Sequence, residues 1–205
     1  MEKITSLTIL YLMFSINILF AQTTANPDSV CVGSTEYYKI SNPTVGSSFK
    51  WGIKNAEGTI ISGQNTDYIN IQWTNTIGSD IVWVVETNGG GCKGDTAKLT
   101  VKRFARPTAS ISGNMTLCNV NSGSAIVFTL TGIAPFSIVY KKNGVSQTQV
   151  VTSGNTFTIP ATPTNITTIY ELVSITDRLG CDNPATGTAT ITVLPALGTL
   201  QIIHK

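Results

Sequence analysis

Few residues of this chain could carry out chemistry, and none of them forms a catalytic pattern. The single histidine, His204, lies near the C-terminal end, and no serine stands in a Gly-x-Ser-x-Gly context, which argues against a hydrolytic triad. The aspartates Asp67, Asp80 and Asp95 lack the clustered spacing of a calcium loop, so capping and turn roles are favoured. The sequence therefore predicts a non-enzymatic protein with no catalytic residue, metal or cofactor.

The cysteines belong to a repeated segment. Thr87 precedes Gly91-Cys92 as Thr176 precedes Gly180-Cys181, and each Cys is followed by a strand that reads Thr-Ala-x-Leu/Ile-Thr-Val. A repeat of this kind indicates two similar β domains, each with a cysteine at the same turn.

The four cysteines, Cys31, Cys92, Cys118 and Cys181, allow three pairings. Cys31–Cys92 and Cys118–Cys181 keep each bridge inside one repeat, and their separations of 61 (92 − 31) and 63 (181 − 118) nearly match. We therefore predict these two bridges, near the ends of the domains. Closing each loop would stabilise the fold by about 4 kcal/mol in the chain-entropy model.

Composition favours short strands and tight turns. Charged residues make up only 12% of the chain and the net charge is +2, which makes nucleic acid a poor partner. Apolar residues alternate with polar ones at Phe49–Ile53, Ile69–Trp73 and Ile126–Leu130, the period of half-buried strands. Asn143-Gly144 predicts a type I′ hairpin turn. The fold class expected is all-β, with two antiparallel sandwiches in tandem.

The order of segments follows from composition. Residues 1–21 resemble a cleaved signal peptide, the alternative being an uncleaved membrane anchor. We expect domains at 22–103 and 108–194, with a linker at 104–107 that ends in a proline and leaves the domains little freedom. The tail, 195–205, carries three apolar residues that either pack on the second domain or bind a partner's sheet edge: Leu200, Ile202 and Ile203.

Aromatic residues divide into two predicted groups. Trp51, Trp73 and Trp83 fall on apolar strand faces or within an apolar strand, which favours core packing over a sugar-stacking platform. Tyr37 and Tyr68 point to the opposite face and are candidates for exposed contacts.

A family resemblance follows from motifs in both halves. The first half has Val30-Cys31-Val32-Gly33-Ser34, Trp51, Gly63-Gln64-x-x-Asp67 and Gly91-Cys92; the second has Leu117-Cys118, Pro135-Phe136 and Gly180-Cys181. These resemble the PKD-like, immunoglobulin-like domains of Bacteroidota cell-surface proteins, many of them adhesins or components of gliding motility and type IX secretion. The Trp-Asp-Phe-Gly-Asp-Gly run of PKD domains is replaced by Lys50-Trp51-Gly52-Ile53, and the usual C-terminal sorting domain of type IX substrates is absent from the sequence.

The resemblance implies a function and a compartment. The protein is expected to be exported to the periplasm or cell surface and associated with the outer membrane, as an accessory subunit held by a larger outer-membrane or surface protein. The alternative is a polysaccharide-binding or adhesin module. Asp28-Ser29-Val30 and Asp95-Thr96-Ala97 also resemble O-glycosylation sites of exported Bacteroidota proteins, at Ser29 and Thr96.

Overall fold

The computed structural model describes residues 28–117, 124–151, 153–161, 167–194 and 204, and this part of the chain contains strands and turns but no helix. The predicted signal segment 1–21, Cys118 and the tail residues Leu200, Ile202 and Ile203 lie outside the described residues. In the residues that the structure describes, no helix has the length and apolar character that crossing a membrane would require.

Among the described residues, seven strands form the first domain. They are β1 (Asp28–Cys31), β2 (Thr35–Lys39), β3 (Ser48–Ile53), β4 (Gly58–Ser62), β5 (Tyr68–Trp73), β6 (Gly78–Thr87) and β7 (Ala97–Phe104). One sheet has the order β1-β7-β6-β3 and the other β2-β5-β4; β1 runs parallel to β7 and the remaining pairs are antiparallel.

In the second domain, the part of the chain that the structure describes contains nine strands. They are β8 (Thr108–Ser112), β9 (Met115–Leu117), β10 (Ser124–Thr131), β11 (Phe136–Lys142), β12 (Val145–Val151), β13 (Thr156–Ala161), β14 (Thr168–Thr176), β15 (Asp182–Pro184) and β16 (Thr188–Val193). One sheet has the order β12-β11-β14-β16-β9, with β15 on β14, and the other β13-β10-β8. The short strand β9 runs parallel to the last strand, β16, as β1 does to β7. The two domains thus share a plan, as the sequence repeat predicts.

Each domain encloses its own apolar core between its two sheets. The alternating residues Ile69, Ile71 and Trp73 are buried in the first core, and Ile126, Phe128 and Leu130 are buried in the second. Burying one such side chain contributes about 1.5–3 kcal/mol, so these strands anchor the sandwiches. The predicted all-β double sandwich is confirmed.

Trp83 departs from the predicted core placement. Val82 and Val84 on β6 are buried, so Trp83 between them points to the outer face and is half-buried. Its ring covers Gly52 on β3, where an added Cβ would come within 2.3 Å of the indole. The residues at 81–85 are therefore apolar on both faces of the strand because the Trp83 ring on the outer face lies on Gly52. A glycine has no side chain, so it leaves room for the ring.

A charged side chain lies in the first core. Arg103 on β7 is 2% exposed. Its guanidinium lies 5.4 Å from the centre of the Trp73 ring, its Nε donates to the Thr76 carbonyl at 2.9 Å, and its Nη2 is 3.5 Å from Glu57 Oε2. Stacking and pairing together make the buried charge tolerable. The sequence pattern gave no sign of it.

The hairpin between β11 and β12 has the predicted geometry. Asn143 and Gly144 have φ angles of 49° and 81°, the positive pair that a type I′ turn requires. The turn sets an uninterrupted register from Lys142 opposite Val145 to Phe136 opposite Val151.

Candidate functional site: the joint and the exposed faces

The two repeated turns have the same hydrogen-bond pattern. Asn88 Oδ1 accepts from the backbone N–H of Gly90 and Cys92, and Asp177 Oδ1 accepts from Leu179 and Cys181. In each turn the N–H of the first residue also donates to the carbonyl of the cysteine, at 3.0 Å. A side-chain oxygen that replaces a backbone acceptor explains why Asn and Asp are used here.

The disulfide, however, joins the two domains. Cys31 is bonded to Cys181, with a Cα–Cα distance of 5.5 Å and 150 residues of sequence between the two positions. Cys92 is a free, exposed thiol. The predicted pairs Cys31–Cys92 and Cys118–Cys181 are both wrong, because each needs a cysteine that the observed bridge already occupies.

The register of the first domain explains the error. Cys31 lies opposite Phe104, at the end of β7 that leads into the second domain; we call this the joint end. Cys92 lies in the turn that leads into β7 at Ala97, which we call the free end. Because β7 spans eight residues at about 3.3 Å each, the two cysteines lie beyond opposite ends of a strand about 25 Å long, too far apart for a bond. The turn with Cys181 meets the joint end instead.

Arg106 reinforces the joint from the linker. Its Nε donates to the Val32 carbonyl at 3.2 Å, and its Nη1 donates to Asp182 at the carbonyl, 2.7 Å, and at Oδ1, 3.0 Å. Asn183 Nδ2 donates to the Pro107 carbonyl at 2.9 Å. One guanidinium thus binds both domains and fixes their relative placement. Sequence reasoning used this segment only as a boundary, although a charged residue in a short linker was a signal for such a role.

An open groove of about 730 Å³ separates β2 from β6 and β7 in the first domain. Its rim carries both signs of charge, with Asp28, Glu36, Lys39 and Lys98, and its floor is apolar. Tyr38 lies on this floor and its hydroxyl accepts from Trp73 Nε1 at 3.1 Å. Burial raises the pKa of Tyr38 well above its usual range, so the phenol stays neutral even in alkaline solution.

Two tyrosines lie exposed on the outer face of the β2-β5-β4 sheet. Tyr37 is 57% exposed and Tyr68 is 39% exposed, and their ring centres are 5.7 Å apart with a tilt of 31°. Beside them, Lys39 Nζ lies 3.8 Å from Asp67 Oδ2. The exposure predicted for both tyrosines is confirmed, and the structure adds that they form a pair.

The remaining predicted sites are separated in space. Asp80 is buried and accepts from the backbone N–H of Asn55, Glu57 and Ile81, which is the turn-holding role that the sequence favoured. Asp95 is exposed. In the described ranges, no three His, Cys, Asp or Glu side chains are arranged to hold a metal ion. Ser29 and Thr96 are both exposed, so an enzyme that modifies hydroxyls could reach them.

Comparison with known proteins agrees with this architecture. Residues 18–101 match the family described as PKD-like domain. A fragment of titin, I67–I69 of the I-band, has a TM-score of 0.51 and 9% identity, covering 82% of this chain and 63% of that fragment. The chain is an immunoglobulin-like β-sandwich protein. It thus spans less than two thirds of the length of the titin fragment that it resembles.

Two bacterial structures give weaker matches to the immunoglobulin-like chain. The fibronectin(III)-like modules of Clostridium thermocellum CbhA have a TM-score of 0.40 and 14% identity, covering 87% of this chain and 95% of that one. The D00-D0 domain of intimin has a TM-score of 0.37 and 9% identity, covering 83% and 98%. No curated protein matches the sequence.

Proposed function

We propose that this protein is a non-enzymatic, exported structural subunit, an accessory component of an outer-membrane or cell-surface complex in gliding motility or type IX secretion. The observation that carries the proposal is the joint: a disulfide and Arg106 hold two immunoglobulin-like sandwiches in one fixed arrangement. Such a unit presents its loops and sheet edges to a partner at a constant spacing, which is useful to a scaffold and unnecessary for a catalyst. The complex itself is suggested by the resemblance to PKD-like surface proteins.

Export is supported by the same bridge. Disulfides persist in oxidising compartments such as the bacterial periplasm and the cell surface, and are rare in the cytosol. Cys31 and Cys181 lie in different domains, so their bond spans the linker and joins the two sandwiches covalently. We place the protein in the periplasm or on the cell surface, bound to a larger outer-membrane or surface protein.

The experiment is affinity capture from native outer membranes with the tagged chain as bait. We expect co-purification of a larger membrane or adhesin protein, and loss of motility or secretion on deletion of the gene. The variant Cys31→Ser/Cys181→Ser should retrieve less of the partner, whereas Cys92→Ser, which leaves the joint intact, should retrieve the same amount. Recovery of a lone chain under gentle extraction, with normal motility and secretion in the deletion strain, would overturn the proposal.

A second candidate function, polysaccharide binding, rests on the Tyr37–Tyr68 pair. Two exposed, tilted rings offer a face on which a sugar ring stacks. Trp51 and Trp73 are buried, so calorimetry is a better readout than tryptophan quenching. Glycan binding that Tyr37→Ala abolishes and Val45→Ala preserves would support this function, since Val45 is a fully exposed residue outside the pair. Absence of heat with surface polysaccharides would exclude it.

A further inference from the structure

The edges of the sheets are protected in different ways, and β12 is the exception. The edge strand β3 is capped by a side chain: Gln64 Oε1 accepts from the Trp51 N–H at 3.2 Å, and Gln64 Nε2 donates to the Trp51 carbonyl at 2.9 Å. The Gln64 amide thereby occupies the place that a neighbouring strand would take. Such devices keep exposed edges from pairing with other chains.

The other described edges are short, irregular or polar. β1 has four residues and β9 has three. β2 carries Glu36 and Lys39, and β4 has a break in its register after Ile60. β13 contains Pro160, which has no N–H to offer, and β8 lies against β14 and β16 of the facing sheet.

β12 has only one contact of this kind, a hydrogen bond from the Gln149 side chain to the carbonyl of the adjacent Val150. It is a seven-residue edge strand, Val-Ser-Gln-Thr-Gln-Val-Val, with no charge, proline, glycine or bulge. Val145 is 63% exposed and Val150 is 56% exposed. Among the edges that the structure describes, it is the longest and the best able to accept another strand.

The backbone groups that face outward follow from the hairpin. A two-residue turn closes on a hydrogen-bonded pair, here Lys142 and Val145, so alternate residues from Val145 direct their backbone toward β11. Ser146, Thr148 and Val150 consequently direct their N–H and C=O groups away from the sheet. The Val150 carbonyl accepts from the Gln149 side chain at 2.8 Å, as expected of a group that points outward.

We propose that β12 pairs with β12 of a second copy of this chain, antiparallel and centred on Thr148, so that the two six-stranded sheets become continuous. The sequence of the strand supports this occupant because it is nearly symmetric about Thr148. In this register Thr148 meets Thr148, Gln147 meets Gln149 and Val145 meets Val151, and only the Ser146–Val150 pair joins unlike residues. The absence of charge on the strand means that no like charges meet at the two-fold axis.

Backbone pairing fits only this family of registers. The outward residues Ser146, Thr148 and Val150 must lie opposite outward residues of the second copy, and centring on Thr148 pairs all three. Shifts by two residues leave an outward residue unpaired at each end, so the central register makes the most hydrogen bonds. The proposal is independent of the larger complex proposed above.

The first test is the concentration dependence of the mass of the purified protein, by sedimentation equilibrium. We expect a reversible dimer whose dissociation constant rises at least about tenfold in Thr148→Lys, because two ammonium groups then meet at the axis. The matched control is Thr59→Lys on β4, the same substitution at an exposed threonine of another edge, which should leave the dimer unchanged. A chain that stays monomeric up to about 0.5 mM, or equal effects of the two variants, would overturn the proposal.

The second test determines the register by cross-linking in a Cys92→Ser/Cys118→Ser background. Opposed residues of a hydrogen-bonded antiparallel pair have Cα atoms about 5.5 Å apart, within reach of a disulfide. With a mild oxidant to accept the two electrons and two protons, Thr148→Cys should form a covalent dimer with itself. Ser146→Cys should not, but it should cross-link to Val150→Cys when the two are mixed. Self-linkage of Ser146→Cys, or no linkage of Thr148→Cys, would contradict the central register.

Discussion

The two repeated turns have the same hydrogen bonds, but their cysteines differ in exposure and in bonding. Asn88–Cys92 and Asp177–Cys181 share their hydrogen bonds, yet Cys92 is an exposed thiol and Cys181 is buried in a disulfide. The residue two positions before each turn differs accordingly: Glu86 is half-buried at the free end, whereas Ile175 is fully buried. A repeated motif therefore marks an equivalent position in each domain, but whether its cysteine forms a disulfide depends on whether the other domain lies next to it.

The largest difference between the turns should appear when the bridge is removed. We expect Cys31→Ser/Cys181→Ser to lower the free energy of unfolding by up to about 5 kcal/mol, the chain-entropy value for a loop of 150 residues. Cys92→Ser should change it by less than about 0.5 kcal/mol, because nothing is bonded to that thiol. Denaturant unfolding of the parent protein and of the two variants measures both changes in free energy. A mass map that places Cys92 in a bridge with Cys31 would contradict the comparison.

Removal of the side-chain acceptor should also affect the turns unequally. Asp177→Ala leaves two backbone N–H groups without an acceptor in a buried turn, at a cost of about 2–3 kcal/mol in unfolding free energy. Asn88→Ala, at the exposed turn, should cost about 1 kcal/mol, because water replaces the lost acceptor. Asp177→Asn is the control, since Asn88 already makes this pattern, and thermal unfolding should find it close to the parent. Equal losses in the two alanine variants would show that the environments do not differ as described.

Loss of the Arg106 side chain should lower the free energy of unfolding by less than these changes, and the loss should be measurable once the disulfide is removed. In the Cys31→Ser/Cys181→Ser background we expect Arg106→Ala to reduce stability by about 1 kcal/mol and to loosen the domains, because its contacts to Val32 and Asp182 cross the joint. Arg106→Lys should behave like the alanine variant, since one ammonium cannot reach both carbonyls. Small-angle scattering of the variants reports the change in shape. Full rescue by lysine would show that charge alone, and not the guanidinium geometry, fixes the joint.

The smallest expected effect is the loss of stability in acid when Glu86, at the free end, becomes protonated. The polar groups of Ser47 and Thr44 beside the carboxylate lower the pKa of Glu86, because they favour its ionised form; the Thr44 N–H donates to Oε1 at 2.9 Å. A group with a lowered folded pKa stabilises the fold above its unfolded pKa of about 4.3, and this contribution is lost as pH falls through the folded value. NMR titration should find Glu86 below its ordinary pKa, and the protection factor of the Thr44 amide, corrected for the intrinsic exchange rate at each pH, should fall in acid. In Glu86→Gln that acid dependence should vanish; its persistence would assign it to another group.

Local patterns were sufficient for the strands and insufficient for the joint. The alternation at Ile69–Trp73 and Ile126–Leu130 predicted the buried faces because a strand has a period of two, and Asn143-Gly144 predicted its turn because few residues accept positive φ. The cysteine pairing failed because matching separations reflect the repeat itself and not proximity. Trp83 and Arg103 were missed for a related reason: Gly52, which leaves space for the Trp83 ring, and Trp73, on which Arg103 stacks, lie on other strands.

The position of the bridge also determines how the molecule carries tension. A pull applied at Asp28 and Val193 passes from Cys31 directly to Cys181, so residues 32–180 form a closed loop that bears no load. Only the two short arms outside the bridge can be drawn out, about 60 Å of extended chain, against about 600 Å after reduction. The Cys31–Cys181 bond is therefore a mechanical bypass: strands β2 to β14 bear no load, and only β1 and the segment from β15 to β16 can be pulled away.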